Sequence, residues 1–143
     1  MRLPDVNVLV HAVNDASAAQ PRAAQWLAEG LASKEGLALA WVVMLGFLRV
    51  TTRPGIFARP LSPEQALQAL SRWLSHPGAR VVHPGPRHAL VLGRTLLKLG
   101  AAGNLTTDAH IATLAQEHGA TVGTYDRDFK RFDIVRVDWL GQQ

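Results

Sequence analysis

Along this chain short unbroken apolar runs alternate with stripes in which apolar residues recur three and four positions apart. The first pattern predicts strands buried on both faces, the second amphipathic helices. Leu3 to Asp5 reads as a short first strand, followed by a helical stretch from about Asn7 to Val13. Pro21 to Ala32 carries Trp26, Leu27 and Leu31 at helical spacing, with Pro21 suited to a helix start. Leu37 to Trp41 is a continuous apolar run of strand length, and a helix from about Val43 to Thr52 must stop before Pro54. Ser62-Pro63-Glu64 opens another helix, with a serine cap, proline at the first position and Leu67, Leu70 and Leu74 on one side. Arg80 to His83 is a short strand, and Arg87 to Leu99 is an amphipathic helix that stops at Gly100.

Ala101 to Leu105 is small and flexible by composition. Thr106-Thr107-Asp108 has the composition of a helix start, for a helix that runs to His118 and closes on Gly119. Ala120 to Tyr125 is the next strand, Asp126 to Phe132 a turn with a short helix, and Ile134 to Trp139 a last strand at an edge. This alternation predicts an α/β fold of three layers, a central and mostly parallel sheet with helices on both faces. No repeat or linker interrupts it, so residues 1–143 are expected to form one domain.

Composition narrows the class. Hydrophobic residues make up 48 % and charged residues 18 %, the balance of a globular chain rather than a disordered one. The longest apolar stretch, Gly36 to Phe47, is shorter than the roughly 20 residues a membrane span needs. An acid and a proline within the first five residues also break any secretory signal, so a cytoplasmic location and no membrane partner are expected. The absence of cysteine excludes disulfides, thiolate metal sites and a thiol nucleophile. A net charge of +4 permits a nucleic-acid partner without requiring one.

The candidate chemistry comes from sheet direction. In a parallel sheet the C-terminal ends of the strands share one edge with the N-termini of the helices that lead back, and ligands of open α/β folds bind there. Asp5 ends the first predicted strand, Asp108 lies in the first turn of the helix before strand 120–125, and Asp126 follows that strand with Asp128 two residues on. Gathered carboxylates repel by several kcal/mol per close pair. A hard divalent cation such as Mg²⁺ or Mn²⁺ removes that penalty, since such ions prefer oxygen ligands. Taken singly, Asp108 has an alternative role as a helix-dipole partner, Asp126 as a cap and Asp5 as a turn residue; their shared edge favours the metal site.

Other constellations are weaker. The six histidines are scattered, with only His83 and His88 close in sequence, and read as surface or core residues. No GxxxxGK[ST] occurs, which disfavours a nucleotide hydrolase. A receiver-like or phosphatase-like domain would also gather aspartates, but a phosphatase wants Asp-x-Asp after the first strand, and Asp5 is followed by Val6 and Asn7.

Four segments, in order and spanning Leu3 to Phe132, resemble the PIN-domain toxins of the VapC family. They are Leu3-Pro4-Asp5-Val6-Asn7-Val8-Leu9-Val10-His11-Ala12, Phe47-Leu48-Arg49-Val50 through Pro54, Thr107-Asp108-Ala109-His110-Ile111-Ala112 with Glu117-His118-Gly119-Ala120-Thr121-Val122, and Thr124-Tyr125-Asp126-Arg127-Asp128-Phe129-Lys130-Arg131-Phe132. The resemblance implies a PIN-like fold and a Mg²⁺- or Mn²⁺-dependent endoribonuclease, the toxin of a bacterial toxin–antitoxin pair. It also implies homodimerisation and inhibition by a cognate VapB-type antitoxin that inserts a segment near the active site. Asp5, Asp108 and Asp126 match the family's metal-binding acids, with Asp128 placed to assist. Asn7 and Thr107 match polar positions lining the site. Arg49, Arg127 and Lys130 are candidates for contacting RNA phosphates.

One position departs from the family. A glutamate usually precedes the Phe-Leu-Arg segment, and here Gly46 stands there. Glycine supplies no ligand and costs roughly 1 kcal/mol against alanine inside a helix. Two explanations compete: a native glycine with Asp128 or water completing the metal shell, or an inactivating change selected because an active toxin harms its host. The second is slightly favoured on sequence grounds. It keeps alive an alternative function, a catalytically impaired PIN domain that still binds antitoxin and RNA.

Overall fold

A computed structural model describes residues 1–55, 57–100 and 102–141. Its sheet contains β1 (Arg2–Pro4), β2 (Leu37–Ala40), β3 (Ala79–Val82), β4 (Thr121–Thr124) and β5 (Val137–Trp139) in the order β3-β2-β1-β4-β5. Every pairing is parallel, so the expectation of a mostly parallel sheet is met by a wholly parallel one. The helices are α1 (Val6–Ala12), α2 (Gln20–Ala32), α3 (Trp41–Thr52), α4 (Pro63–Ser75), α5 (His88–Leu99) and α6 (Thr106–His118). Among the described residues two 3-10 turns, Gly103–Leu105 and Arg127–Arg131, precede α6 and follow β4.

Local sequence explains most of these elements. β2 is apolar throughout and buried throughout, as a strand covered on both faces must be. The cap predicted at Ser62 is a full capping box: its hydroxyl accepts from the Gln65 N–H, and the Gln65 side chain accepts from the Ser62 N–H. α5 and α6 end on Gly100 and Gly119, both in the left-handed region that glycine enters without steric cost.

Several boundaries differ from the sequence reading, each for a physical reason. β1 stops at Pro4, and Asp5 is instead the N-cap of α1, accepting a 2.7 Å bond from the Val6 N–H. α3 starts at Trp41, directly out of β2, so Gly46 lies in mid-helix. α6 follows the 3-10 turn with Leu105 before it, and no threonine side chain caps it. β5 begins only at Val137, since Val122, Gly123 and Thr124 are the β4 residues left to pair with it. Of the segment Ala101 to Leu105, Ala101 lies outside the described residues, and Gly103–Leu105 are ordered as the 3-10 turn rather than a flexible link.

The core joins both layers of helix to the sheet through Leu3, Leu39, Phe47, Ile111, Leu114 and Phe129, all fully buried. β4 has one special requirement. The ring of Trp26 crosses Gly123 so closely that a Cβ there would lie 2.4 Å from its Cη2, and the indole N–H donates to Asp138 at 2.9 Å. Strand order places the chain reversal at β1: β2 and β3 build outward on one side, then β4 and β5 on the other. The crevice between the C-terminal ends of β1 and β4 is therefore the topological switch point.

Candidate metal centre

Asp5 leaves β1 at that crevice and is almost wholly enclosed, at 6 % exposure. Its Oδ1 takes the Val6 N–H; its Oδ2 accepts from the Thr124 hydroxyl at 2.9 Å and from the Asn7 amide at 3.1 Å. The same Thr124 oxygen accepts the Asp126 N–H at 2.9 Å, and Asn7 Oδ1 accepts the Tyr125 N–H at 3.1 Å. Thr124 is fully buried at the end of β4. One hydroxyl thus ties the acid after β1 to the acid after β4. Asp126 in turn caps the following 3-10 turn, its Oδ1 accepting the Asp128 N–H at 2.9 Å.

Asp108 arrives from the first turn of α6. Oxygens of Asp108, Asp126 and Asp128 come within 4.8 Å of one another. The trio that meets therefore contains Asp128 where the sequence reading had Asp5. Asp5 stands behind the trio with both oxygens engaged, yet close enough to act on it electrically. Burial first, then the charges of Asp5, Asp126 and Asp128, push the Asp108 carboxyl up to about 7. Burial also raises Asp5, aided by Asp126 and opposed by the bonds from Thr124, Val6 and Asn7. An all-oxygen cluster in which burial and like charge raise Asp108 is the donor set a hard divalent cation fits.

The remaining predicted residues scatter more widely. Thr107 is exposed beside Asp108, while Asn7 belongs to the lacing between Asp5 and β4. Arg127 and Lys130 lie on the turn that carries Asp128, and their cationic groups sit 5.5 Å and 5.7 Å from the centre of the Trp139 ring. Arg49 is in the last turn of α3, eight residues on from Trp41 and so about 12 Å down the axis from the edge where the acids gather; it is not brought to the cluster.

Thr124 was missed by sequence reasoning, although a hydroxyl at the C-terminal end of a strand, two residues before an acid, was a usable signal. The histidines were read as scattered, but His88 meets His110 with Nε2 and Nδ1 2.8 Å apart. Gly46 also changes meaning. A Cβ there would lie 2.7 Å from Val6 Cγ2 and 3.3 Å from Cγ1, so α1 and α3 cross in contact at this residue. A glutamate has no room without displacing the residue next to Asp5. The glycine fits that packing, and a side chain at 46 would require Val6 to shift.

The PIN domain family model matches residues 2–135. The chain belongs to the VapC family of PIN-domain proteins. This PIN domain is 43 % identical to Ribonuclease VapC37 of Mycobacterium tuberculosis, with 96 % of each chain covered. It is 34 % identical to Ribonuclease VapC33 of the same species, covering 98 % of this chain and 99 % of the relative. Among solved structures, M. tuberculosis VapC20, described as a sarcin-ricin loop cleaving toxin, superposes with a TM-score of 0.69 at 17 % identity, covering 95 % of this chain and 99 % of that one. VapBC2 from Rickettsia felis, bound to a DNA fragment from its promoter, gives 0.67 at 19 % identity over 96 % of each chain. At such identities these two structures establish the fold of the PIN domain.

Proposed function

We propose that this chain, as one PIN domain over residues 1–143, is a Mg²⁺- or Mn²⁺-dependent endoribonuclease and the toxin of a toxin–antitoxin pair. The observation that carries this reading is the approach of Asp108, Asp126 and Asp128 within 4.8 Å at the switch point, in a chain 43 % identical to a ribonuclease. The partners it implies are RNA as substrate, a VapB-type antitoxin as inhibitor and a second copy of the chain. The location is the cytoplasm; among the described residues no helix is long and apolar enough to cross a membrane.

The chain's residues divide the work. Asp108, Asp126 and Asp128 would hold the cation. Asp5 keeps the local field negative from behind, while Thr124 and Asn7 fix Asp5 and the β4 end against each other. When bound, a divalent cation polarises a phosphate oxygen and lowers the pKa of water at the site. Arg127 and Lys130, exposed on the turn after Asp126, are placed to meet phosphates along the substrate. The impaired-module alternative rests on Gly46 as a lost ligand alone, whereas the identity to a ribonuclease over nearly the whole chain favours the active enzyme.

The test is cleavage of structured RNA with Mn²⁺ or Mg²⁺ added back to EDTA-treated protein. Asp108→Asn is expected to lose at least about a hundredfold in rate, since a catalytic cation supplies several kcal/mol of barrier lowering. Cleavage that survives EDTA, or an undiminished Asp108→Asn enzyme, overturns the reading.

A further inference from the structure

Asp108 stands outside the hydrogen bonds that order the turn after β4. Asp126 and Asp128 are tied through their backbone N–H groups, whereas among the described residues no hydrogen bond holds the Asp108 carboxylate. Its place depends on where α6 sits, and the N-terminus of α6 has no side-chain cap. Two residues on, however, a chain of polar groups grips the helix from α5.

Glu117, near the end of α6, accepts the Gly85 N–H on Oε2 and meets His88 Nδ1 with Oε1. His88 begins α5 and is 8 % exposed; its Nε2 faces His110 Nδ1 at 2.8 Å, with the two rings edge to face at 4.7 Å. A carboxylate can only accept, so His88 donates to Glu117 through Nδ1–H, which leaves its Nε2 to pair with His110 Nδ1. The three side chains thus form one continuous hydrogen-bonded chain from α5 to α6. Apolar packing between α5 and α6 is non-directional, whereas this chain fixes how far one helix is set along the other.

We propose that Glu117, His88 and His110 form a positioning relay that sets the height of α6 over the sheet edge and so the reach of Asp108 into the carboxylate trio. The proposal rests on the metal-centre reading above and concerns residues that touch neither cation nor RNA. The loss of an orienting partner behind a metal ligand typically costs tenfold or more in affinity.

The experiment is a Mn²⁺ titration, read by the electron paramagnetic resonance of free Mn²⁺, on wild type, Asp126→Asn, His110→Leu and His110→Asn. Asparagine places an amide group about where the Nδ1 of histidine stands and can either donate or accept there, so it keeps the hydrogen bond that leucine lacks. His110→Leu is expected to bind Mn²⁺ about tenfold more weakly, and His110→Asn to stay within about twofold of wild type, with similar urea midpoints for the two variants. Wild-type affinity in a folded His110→Leu, or an equal loss in both variants, overturns the relay. If His110→Leu does not fold, Glu117→Met, which removes both acceptors, takes its place: about tenfold weaker binding supports the relay and unchanged binding overturns it. Should wild type bind no better than Asp126→Asn, the metal-centre reading fails and the relay falls with it.

Discussion

The two sides of the acidic cluster are built on different principles. On the β1–β4 side, Asp5, Asn7, Thr124 and Asp126 are laced by side-chain hydrogen bonds of 2.9 to 3.1 Å, around a threonine with no exposed surface. On the α6 side, Asp108 has no such bond, and its neighbours' charges help to keep its carboxyl at about 7. One half is ordered by the protein. On the other, burial and then like charge disfavour ionisation of Asp108, a penalty that a bound cation or a proton offsets.

The largest test of the laced side is Gly46→Glu. An added side chain would overpack the α1–α3 crossing and place a carboxylate in a buried position. A loss of about 3 kcal/mol or more is expected, with no gain in RNA cleavage. Chemical denaturation reads the first and a cleavage assay the second; a stable, more active variant would restore the inactivation reading.

Thr124→Val is the next step down. It keeps the shape, removes the donor to Asp5 and leaves the buried Asp126 N–H without its acceptor. The expected cost is about 2 kcal/mol in urea unfolding, with Mn²⁺ affinity falling at least about tenfold. Thr124→Ser, which keeps the hydroxyl, should recover most of both. Equal behaviour of the valine and serine variants would show that the bridge contributes nothing.

A subtler contrast lies in pH. Asp108 has a folded value of about 7 against an ordinary 3.8. Between those values the folded chain holds a proton that the unfolded chain has released, so this group's contribution to stability falls as pH rises through the window and is flat above it. In metal-free protein, Asp108→Asn should therefore melt higher than wild type at pH 8 and nearly with it at pH 4. Saturating Mn²⁺ should reverse the order at pH 8, because only wild type keeps all three ligands. A melting difference that does not change with pH would mean that Asp108 ionises normally.

Much of this was readable from the residues in order. The unbroken run at β2, the Ser62-Pro63 start of α4 and the glycine stops after α5 and α6 encode local geometry, and the structure realises each. The common edge of Asp5, Asp108, Asp126 and Asp128 followed from strand direction alone. What escaped were pairings between distant positions. Asp5 with Thr124, Gly46 with Val6, and His88 with His110 are set by how helices and strands finally pack, and no periodicity announces them. Asp5 was placed at the right edge, but its bonds to Val6, Asn7 and Thr124, which hold the ends of β1 and β4 together, were not visible in the sequence.

The indole of Trp26 laid across Gly123 has a bearing on how this chain can drift. As long as residue 26 is tryptophan, residue 123 must lack a side chain, since even a methyl group would fall 2.4 Å from the ring. Gly123 immediately precedes Thr124 and lies three residues before Asp126, so a mismatch would be felt where the acids are tethered. The two positions can change only together, a smaller residue at 26 preceding any larger one at 123. Lineages that alter one should therefore carry the mark of the other, 97 positions away in sequence and in contact in space.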